Sequence, residues 1–130
     1  MSVLPRAVTV HGVQHARVAL AVGTALNQPV LLLSGPGAGG YAGALWWRAI
    51  VDAALGGRPG WDALDCGDLA GRALEALAAG CGIVVLGPCP GFAAVQERAG
   101  RALVLGGRPE SLDLGVRGAE RLLGGWLGGG

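Results

Sequence analysis

The stretch that decides the fold is Val30-Leu31-Leu32-Leu33-Ser34-Gly35-Pro36-Gly37-Ala38-Gly39-Gly40-Tyr41. Residues 30–33 are apolar without alternation, which is typical of a strand buried on both faces of a sheet. A glycine loop follows over residues 34–40, and the sequence predicts a helix over residues 41–55. Strand, loop and helix in this order indicate one unit of a parallel α/β sheet.

This alternation of strand and helix repeats five times along the chain. The predicted strands cover residues 7–11, 30–33, 61–65, 83–86 and 102–105. The predicted helices cover residues 13–26, 41–55, 69–79, 91–99 and 114–123. We therefore expect a three-layer, open, mostly parallel five-stranded sheet with helices on both faces, either flavodoxin-like or Rossmann-like.

Length and composition limit the kind of protein. The 130 residues suffice for a single α/β domain over 1–130, with a Gly-rich C-terminal tail from about residue 124. Apolar residues make up 52% and the net charge is +1, which excludes intrinsic disorder and gives no reason to expect a nucleic-acid partner. All ten basic residues are arginines, so chemistry that needs a lysine is excluded.

We expect a cytoplasmic protein without a membrane span. The N-terminus has no basic region followed by a long apolar run, so no signal peptide is predicted. Residues 18–47 and 76–96 contain no charged residue, but prolines and glycines interrupt them, as in buried strands and loops. The cysteines are three, an odd number, and we expect free, reduced thiols.

The glycine loop is the clearest candidate for a binding motif. Gly35, Gly37 and Gly40 fit the pattern G-x-G-x-x-G between a buried strand and a helix, where backbone amides can approach an anion. Asp65, at the end of the next predicted strand, is a loose match for the acidic residue of a dinucleotide site. A nucleotide or another phosphate ligand is therefore one interpretation. The other is a tight turn that packs a helix on the sheet, with no cofactor.

Ligands of open α/β sheets bind at the carboxyl ends of the strands, where the strand order reverses. Residues 66–72 fit the Cys-x5-Arg loop of cysteine-based phosphatases, in which the arginine and the loop amides hold the phosphate oxygens. Asp68 would place a negative charge inside this loop, and Ala73 stands where those enzymes usually carry Ser or Thr. No pair of cysteines or histidines has the spacing of a metal site within one element, so we predict no metal. The candidate ligand-binding residues at this edge are His11, Ser34, Gly35, Gly37, Gly39, Gly40, Asp65, Cys66 and Cys89.

The predicted helix over residues 41–55 carries only two charges, Arg48 and Asp52. A helix on an open sheet buries one face, and Trp46 and Trp47 point about 100° apart. We therefore do not expect both side chains to fit into the core of so small a domain. Large apolar side chains left at the surface mark association, so we expect a homo-oligomer, with a dimer favoured. The candidate interface residues are Trp46, Trp47 and Arg48. The alternative is that the C-terminal helix with Trp126 covers this helix within one chain.

Four segments carry a resemblance: residues 11–17, the strand leading into residues 35–40, residues 46–48 and residues 64–66. Together they resemble small uncharacterised bacterial α/β proteins of high-GC genomes, a resemblance that implies no activity. Residues 30–65 loosely resemble phosphate-binding Rossmann-type domains.

The sequence favours a small α/β protein that binds a small anionic or phosphate-bearing ligand at the carboxyl edge of the sheet. The alternative function is a non-catalytic structural or interaction module that acts as a homo-oligomer. No residues assemble into a recognisable reaction, so no enzyme activity is assigned.

Overall fold

A computed structural model describes residues 3–129 of the chain. Six strands form one sheet, all parallel, in the order β5-β4-β3-β2-β1-β6. The strands are β1 (Ala7–Val10), β2 (Leu31–Ser34), β3 (Trp61–Asp65), β4 (Ile83–Val85), β5 (Leu103–Leu105) and β6 (Ser111–Asp113). The helices are α1 (Val13–Ala25), α2 (Ala38–Tyr41), α3 (Ala44–Leu55), α4 (Ala70–Ala78), α5 (Phe92–Arg98) and α6 (Leu123–Gly128). The prediction of a parallel α/β sheet of the flavodoxin-like or Rossmann-like kind is confirmed.

The sheet has a sixth strand, where the sequence analysis expected five. β6 pairs with β1, and only then does the chain continue into a 3-10 helix (Ala119–Leu122) and α6. The sequence Ser111-Leu112-Asp113 is too short and too polar to display a strand pattern, so a single helix was expected over 114–123. The Gly-rich segment from about residue 124 is α6 and not a tail, because Leu123 and Leu127 are buried and the Trp126 indole donates a hydrogen bond to the Ala7 carbonyl at 2.8 Å.

The α-helices gather on one face of the sheet, which differs from the expected layer on each face. The buried side chains of α1 to α6 form one cluster with Val8, Val10, Leu32, Leu64 and Val84 of the strands. Strands β1 to β5 follow one another in sequence order, and right-handed crossovers in one direction place every connecting helix on the same side.

The opposite face carries a smaller apolar cluster made of strand residues alone. Its members include Leu31, Leu33 and Ala63, which are completely buried. Only residues 106–110 join the two edge strands β5 and β6, which lie five strand spacings apart. A chain rises at most about 3.6 Å per residue, or about 21 Å here, whereas five spacings of about 4.8 Å make about 24 Å in a flat sheet. The sheet must therefore curl around its helix-free face, which explains why that face is buried.

Trp47, one of the candidate interface residues, lies in the core. Its side chain is completely buried in the core, and its indole N–H donates to Asp62 at 3.3 Å. Arg48 donates to the same carboxylate at 2.8 Å and to Asp52 at 2.9 Å, while Trp46 is partly buried against the core. Helix α3 contacts α1 on one flank and α4 on the other, so its buried arc is wider than that of a helix at the edge of a layer.

Within residues 3–129, no helix combines the length and the apolar character needed to cross a membrane. The three cysteines, Cys66, Cys81 and Cys89, are free thiols. Burial raises the pKa of Cys66 to about 12 and that of Cys81 to about 11, so both stay protonated at neutral pH.

Candidate functional site at the carboxyl edge of the sheet

The strand order reverses at β1, because β2 lies on one side of it and β6 on the other. The reversal point of an open parallel sheet is where ligands bind, just beyond the carboxyl ends of the strands. His11 is the first residue after β1 and stands at this point. His11 is one of the candidate residues predicted from the sequence, and the strand order places it at the reversal point.

The His11 imidazole is held on several sides. Its Nε2 lies 2.7 Å from an Asp113 carboxylate oxygen, and the His11 backbone N–H donates to Nδ1 of His15 at 3.1 Å. The ring fits between two glycines: a Cβ on Gly35 would lie 3.1 Å from its Nδ1, and a Cβ on Gly115 would lie 2.8 Å from its Nε2. A side chain on Gly115 would therefore force the ring to move, and one on Gly35 would press tightly against it. The side chain nevertheless remains 38% exposed, so solvent or a ligand can reach it.

Asp113 determines which nitrogen of the neutral His11 ring carries the proton. Partial burial by itself raises the pKa of Asp113, but the Gly115 amide at 2.8 Å, His11 and Arg108 outweigh it and hold the pKa below its ordinary value. An ionised carboxylate only accepts hydrogen bonds, so the proton between the two side chains belongs to Nε2 of His11. In the neutral imidazole, Nδ1 is therefore the acceptor nitrogen, and it faces the space over Gly35. The Tyr41 hydroxyl borders the same space, 3.3 Å from the position of a Cβ on Gly35.

A network of buried polar groups lies at the ends of β1, β2 and β3. The Arg108 guanidinium donates to the Asp65 carboxylate at 2.8 Å, to the Ser34 carbonyl at 2.9 Å and to the Thr9 hydroxyl at 2.9 Å. The Ser34 hydroxyl donates to the Gly35 carbonyl and accepts the Asp65 N–H. The structure therefore brings two predicted site residues, Ser34 and Asp65, together, but as buried groups that are engaged with the protein itself.

The glycine loop is shaped by packing. Gly37 has φ of 69°, a conformation that favours glycine, and a Cβ on Gly39 would lie 2.8 Å from the Cys66 sulfur. The amides of Ala38 and Gly40 donate to the carbonyls of Gly35 and Gly37 within the loop itself. These two amides are therefore engaged, and the loop shows the close packing of helix on sheet that was the second interpretation of its sequence.

The two cysteines among the candidates are separated from each other. Cys66 is buried under Gly39. Cys89 is partly exposed in a cleft of about 370 Å³ formed with Pro88, Phe92 and Gly106, beyond β4 and β5. Within the described part of the chain, no three His, Cys, Asp or Glu side chains are grouped so that they could hold a metal ion.

Sequence reasoning missed Asp113, Gly115 and Tyr41 as members of the site. Asp113 belongs to the strand that was not predicted, and nothing in its neighbourhood distinguishes it from a loop aspartate. The partnership of His11 with Asp113 spans 102 positions, so no local pattern could have revealed it.

The sequence matches no protein-family model, and a search of curated proteins finds no match either.

Proposed function

We propose that this protein binds a small anionic ligand at the carboxyl edge of its sheet, above β1 and β2. One observation carries the proposal: the imidazole of His11, which contacts Asp113 at the point where the strand order reverses, has its Nδ1 next to Gly35 and the Tyr41 hydroxyl while the side chain remains 38% exposed. A side chain that is both exposed and held in one orientation is suited to recognise a ligand.

The N-terminus of α1 supports a negatively charged ligand. This helix of 13 residues begins at Val13, two positions after His11, and its N-cap Gly12 supplies no side-chain hydrogen bond. The first backbone N–H groups of a helix have no partner within the helix, and the helix dipole adds positive potential at this end. An anion bound there lies beside the His11 imidazole, whose Nδ1 can accept a hydrogen bond from a ligand O–H group such as that of hydrogen phosphate.

Titration with inorganic phosphate and, separately, with succinate tests the proposal. Two-dimensional NMR should show saturable shifts of the amides of Val13, Gln14 and His15, and His11→Ala should weaken the binding at least tenfold. Gln14→Ala is the control, because it changes an exposed side chain of the same helical turn. Shifts that do not saturate, or an affinity that His11→Ala leaves unchanged, would contradict the proposal.

A homo-oligomeric interaction module is the second candidate function. The burial of Trp47 removes the main argument for this function. However, Tyr41 at the end of α2 is 73% exposed and Leu45 on α3 is 81% exposed. Exposed apolar side chains of this kind support a contact between copies of the chain. Leu45→Glu should shift an oligomer towards monomer in analytical ultracentrifugation, and a wild-type protein that is monomeric at high concentration would exclude this candidate. The free thiols support a reducing compartment, as in the cytoplasm.

A further inference from the structure

A cleft of about 540 Å³ runs along the free edge of β6. This volume is in the range of clefts that hold small molecules. The cleft shares Asp113 with the carboxyl-edge site, but none of the other residues of that site. Its walls consist of Ser111, Leu112, Asp113, Val116, Arg117, Gly118, Ala119, Arg121 and Leu122.

Two arginines give this cleft its charge. Arg117 and Arg121 are both exposed, and within residues 3–129 neither of them forms an ion pair or a side-chain hydrogen bond. Arg48, Arg72 and Arg108 each pair with a carboxylate. Three other exposed arginines, Arg17, Arg98 and Arg101, are also unpaired within the described residues, but Arg117 and Arg121 line one cleft together. The chain thus leaves two cations unpaired on one cleft although it has few charged residues to place.

Gly118, which lies between the two arginines in sequence, leaves room for the Arg121 side chain. Gly118 has φ of 81°, and a Cβ there would lie 3.0 Å from a terminal nitrogen of the Arg121 guanidinium. The Arg121 guanidinium therefore lies over Gly118, and Arg117 lines the same cleft. Planar guanidinium groups bind carboxylates through paired hydrogen bonds, which suits this arrangement to an anionic head group.

The remaining wall is apolar. Val116 and Leu122 are each 61% exposed, and they line the cleft with the arginines in a chain whose large aliphatic side chains are mostly at least partly buried. A ligand that covered them would remove this apolar surface from water, which favours binding. The cleft therefore presents a cationic part next to an apolar part.

We propose that this cleft binds a small amphipathic monocarboxylate, with its carboxylate on Arg117 and Arg121 and its hydrocarbon chain over Val116 and Leu122. The charge of the cleft favours a single negative charge, because the two arginines face one carboxylate, Asp113, on the same wall. Asp113 accepts hydrogen bonds from His11 and from the Gly115 amide, which offset part of its charge.

Octanoate, used below the concentration at which it forms micelles, is the probe for this cleft. Calorimetric titration should show binding to one site, and Arg117→Ala and Arg121→Ala should each weaken it at least fivefold. Arg101→Ala is the matched control, because Arg101 is also an exposed arginine in a turn, remote in sequence from the cleft. Thermal melting of each variant verifies that it is folded.

Two analogues separate the parts of the proposal. Acetate retains the charge without the chain, and octylamine retains the chain with the opposite charge, so both should bind at least tenfold more weakly than octanoate. Equal binding of octylamine would show unspecific apolar adsorption, and equal binding of acetate would show a plain anion site. Either result, or loss of binding in the Arg101→Ala control alone, overturns the proposal. The probe, the variants and the measurement all differ from those used at His11. The proposed function can therefore fail without affecting this test.

Discussion

Arg108 reaches Asp65 at 2.8 Å across the carboxyl ends of the sheet, from a connection of only five residues that joins the two edge strands. Asp65 is almost completely buried, and its second carboxylate oxygen accepts the Gly67 N–H. The same guanidinium also holds the Thr9 hydroxyl and the Ser34 carbonyl. One side chain thus ties the connection between the edge strands to three inner strands.

Arg108→Ala should destabilise the protein by about 3 kcal/mol, because it leaves the buried Asp65 carboxylate without its partner. Urea unfolding measures the change, and Arg101→Ala, an exposed arginine, should shift the midpoint very little. The double variant Arg108→Ala/Asp65→Ala should lose less stability than the two single changes together. Strict additivity would show that the two side chains are not coupled.

Gly39→Ala should destabilise the protein by about 1 to 3 kcal/mol, because the new methyl group would meet the Cys66 sulfur and the backbone of Asp65. Gly71→Ala is a matched control within helix α4, where a Cβ would meet no other atom within 4 Å. This second change should stabilise the protein by about 0.4 to 1 kcal/mol, since alanine restricts the unfolded chain. Thermal melting should show a lower melting temperature for Gly39→Ala and a higher one for Gly71→Ala than for the wild type.

Trp47→Ala should cost about 3 to 5 kcal/mol because it empties a completely buried position in the core. Trp46→Ala should cost clearly less, since Trp46 is only partly buried. Trp47→Phe retains most of the volume but removes the indole donor to Asp62, so its effect should lie between these two. Equal losses in the two alanine variants would contradict the assignment of Trp47 to the core.

The thiols should react in two classes. Cys89 is partly exposed, whereas Cys66 and Cys81 are buried and their pKa values are raised to about 12 and about 11. At mildly alkaline pH, a thiol reagent should therefore modify one cysteine quickly in the native protein and all three in urea. Cys89→Ser should remove the fast phase, and a fast phase that survives this change would contradict the burial of the other two.

Asp113 should contribute to stability in a pH-dependent manner. Its pKa is lower in the folded protein than its ordinary value of 3.8, so its contribution is present above that pH and is lost as the pH falls through the lowered pKa. Unfolding measurements from about pH 3 to about pH 5 should show a smaller pH dependence for Asp113→Asn than for the wild type. Identical slopes would show that the His11 and Gly115 contacts do not depend on the charge of Asp113.

Most of the fold could be predicted because its signals are local. Unbroken apolar runs such as residues 30–33 and 83–86 identify buried parallel strands, and glycines mark their ends. The position of β6 could not be predicted, since Ser111-Leu112-Asp113 gains its structure from pairing with β1 and not from its own sequence. The burial of Trp47 depends on helices packed at both flanks of α3, which is a tertiary property.

Those parts of the candidate site that depend on local sequence could also be predicted. His11 was named because it follows a strand, and strand ends are visible in the sequence. Its partner Asp113 and the bordering Tyr41 hydroxyl come together only through the strand order. Ser34 and Asp65 have the right place in the fold, but the arginine that engages them lies 74 and 43 positions further along the chain.

The pairing of β1 with β6 has a consequence for how the chain folds. Thr9 and Ser111 are 102 positions apart, yet their hydroxyl groups lie 2.7 Å from each other. Until residues 111–113 arrive, β1 is an exposed sheet edge with unpaired backbone groups, the kind of surface on which chains aggregate. During synthesis the growing chain would therefore carry an open template for a foreign strand until residue 113 has been made, and closing that edge through so distant a contact should make folding slow.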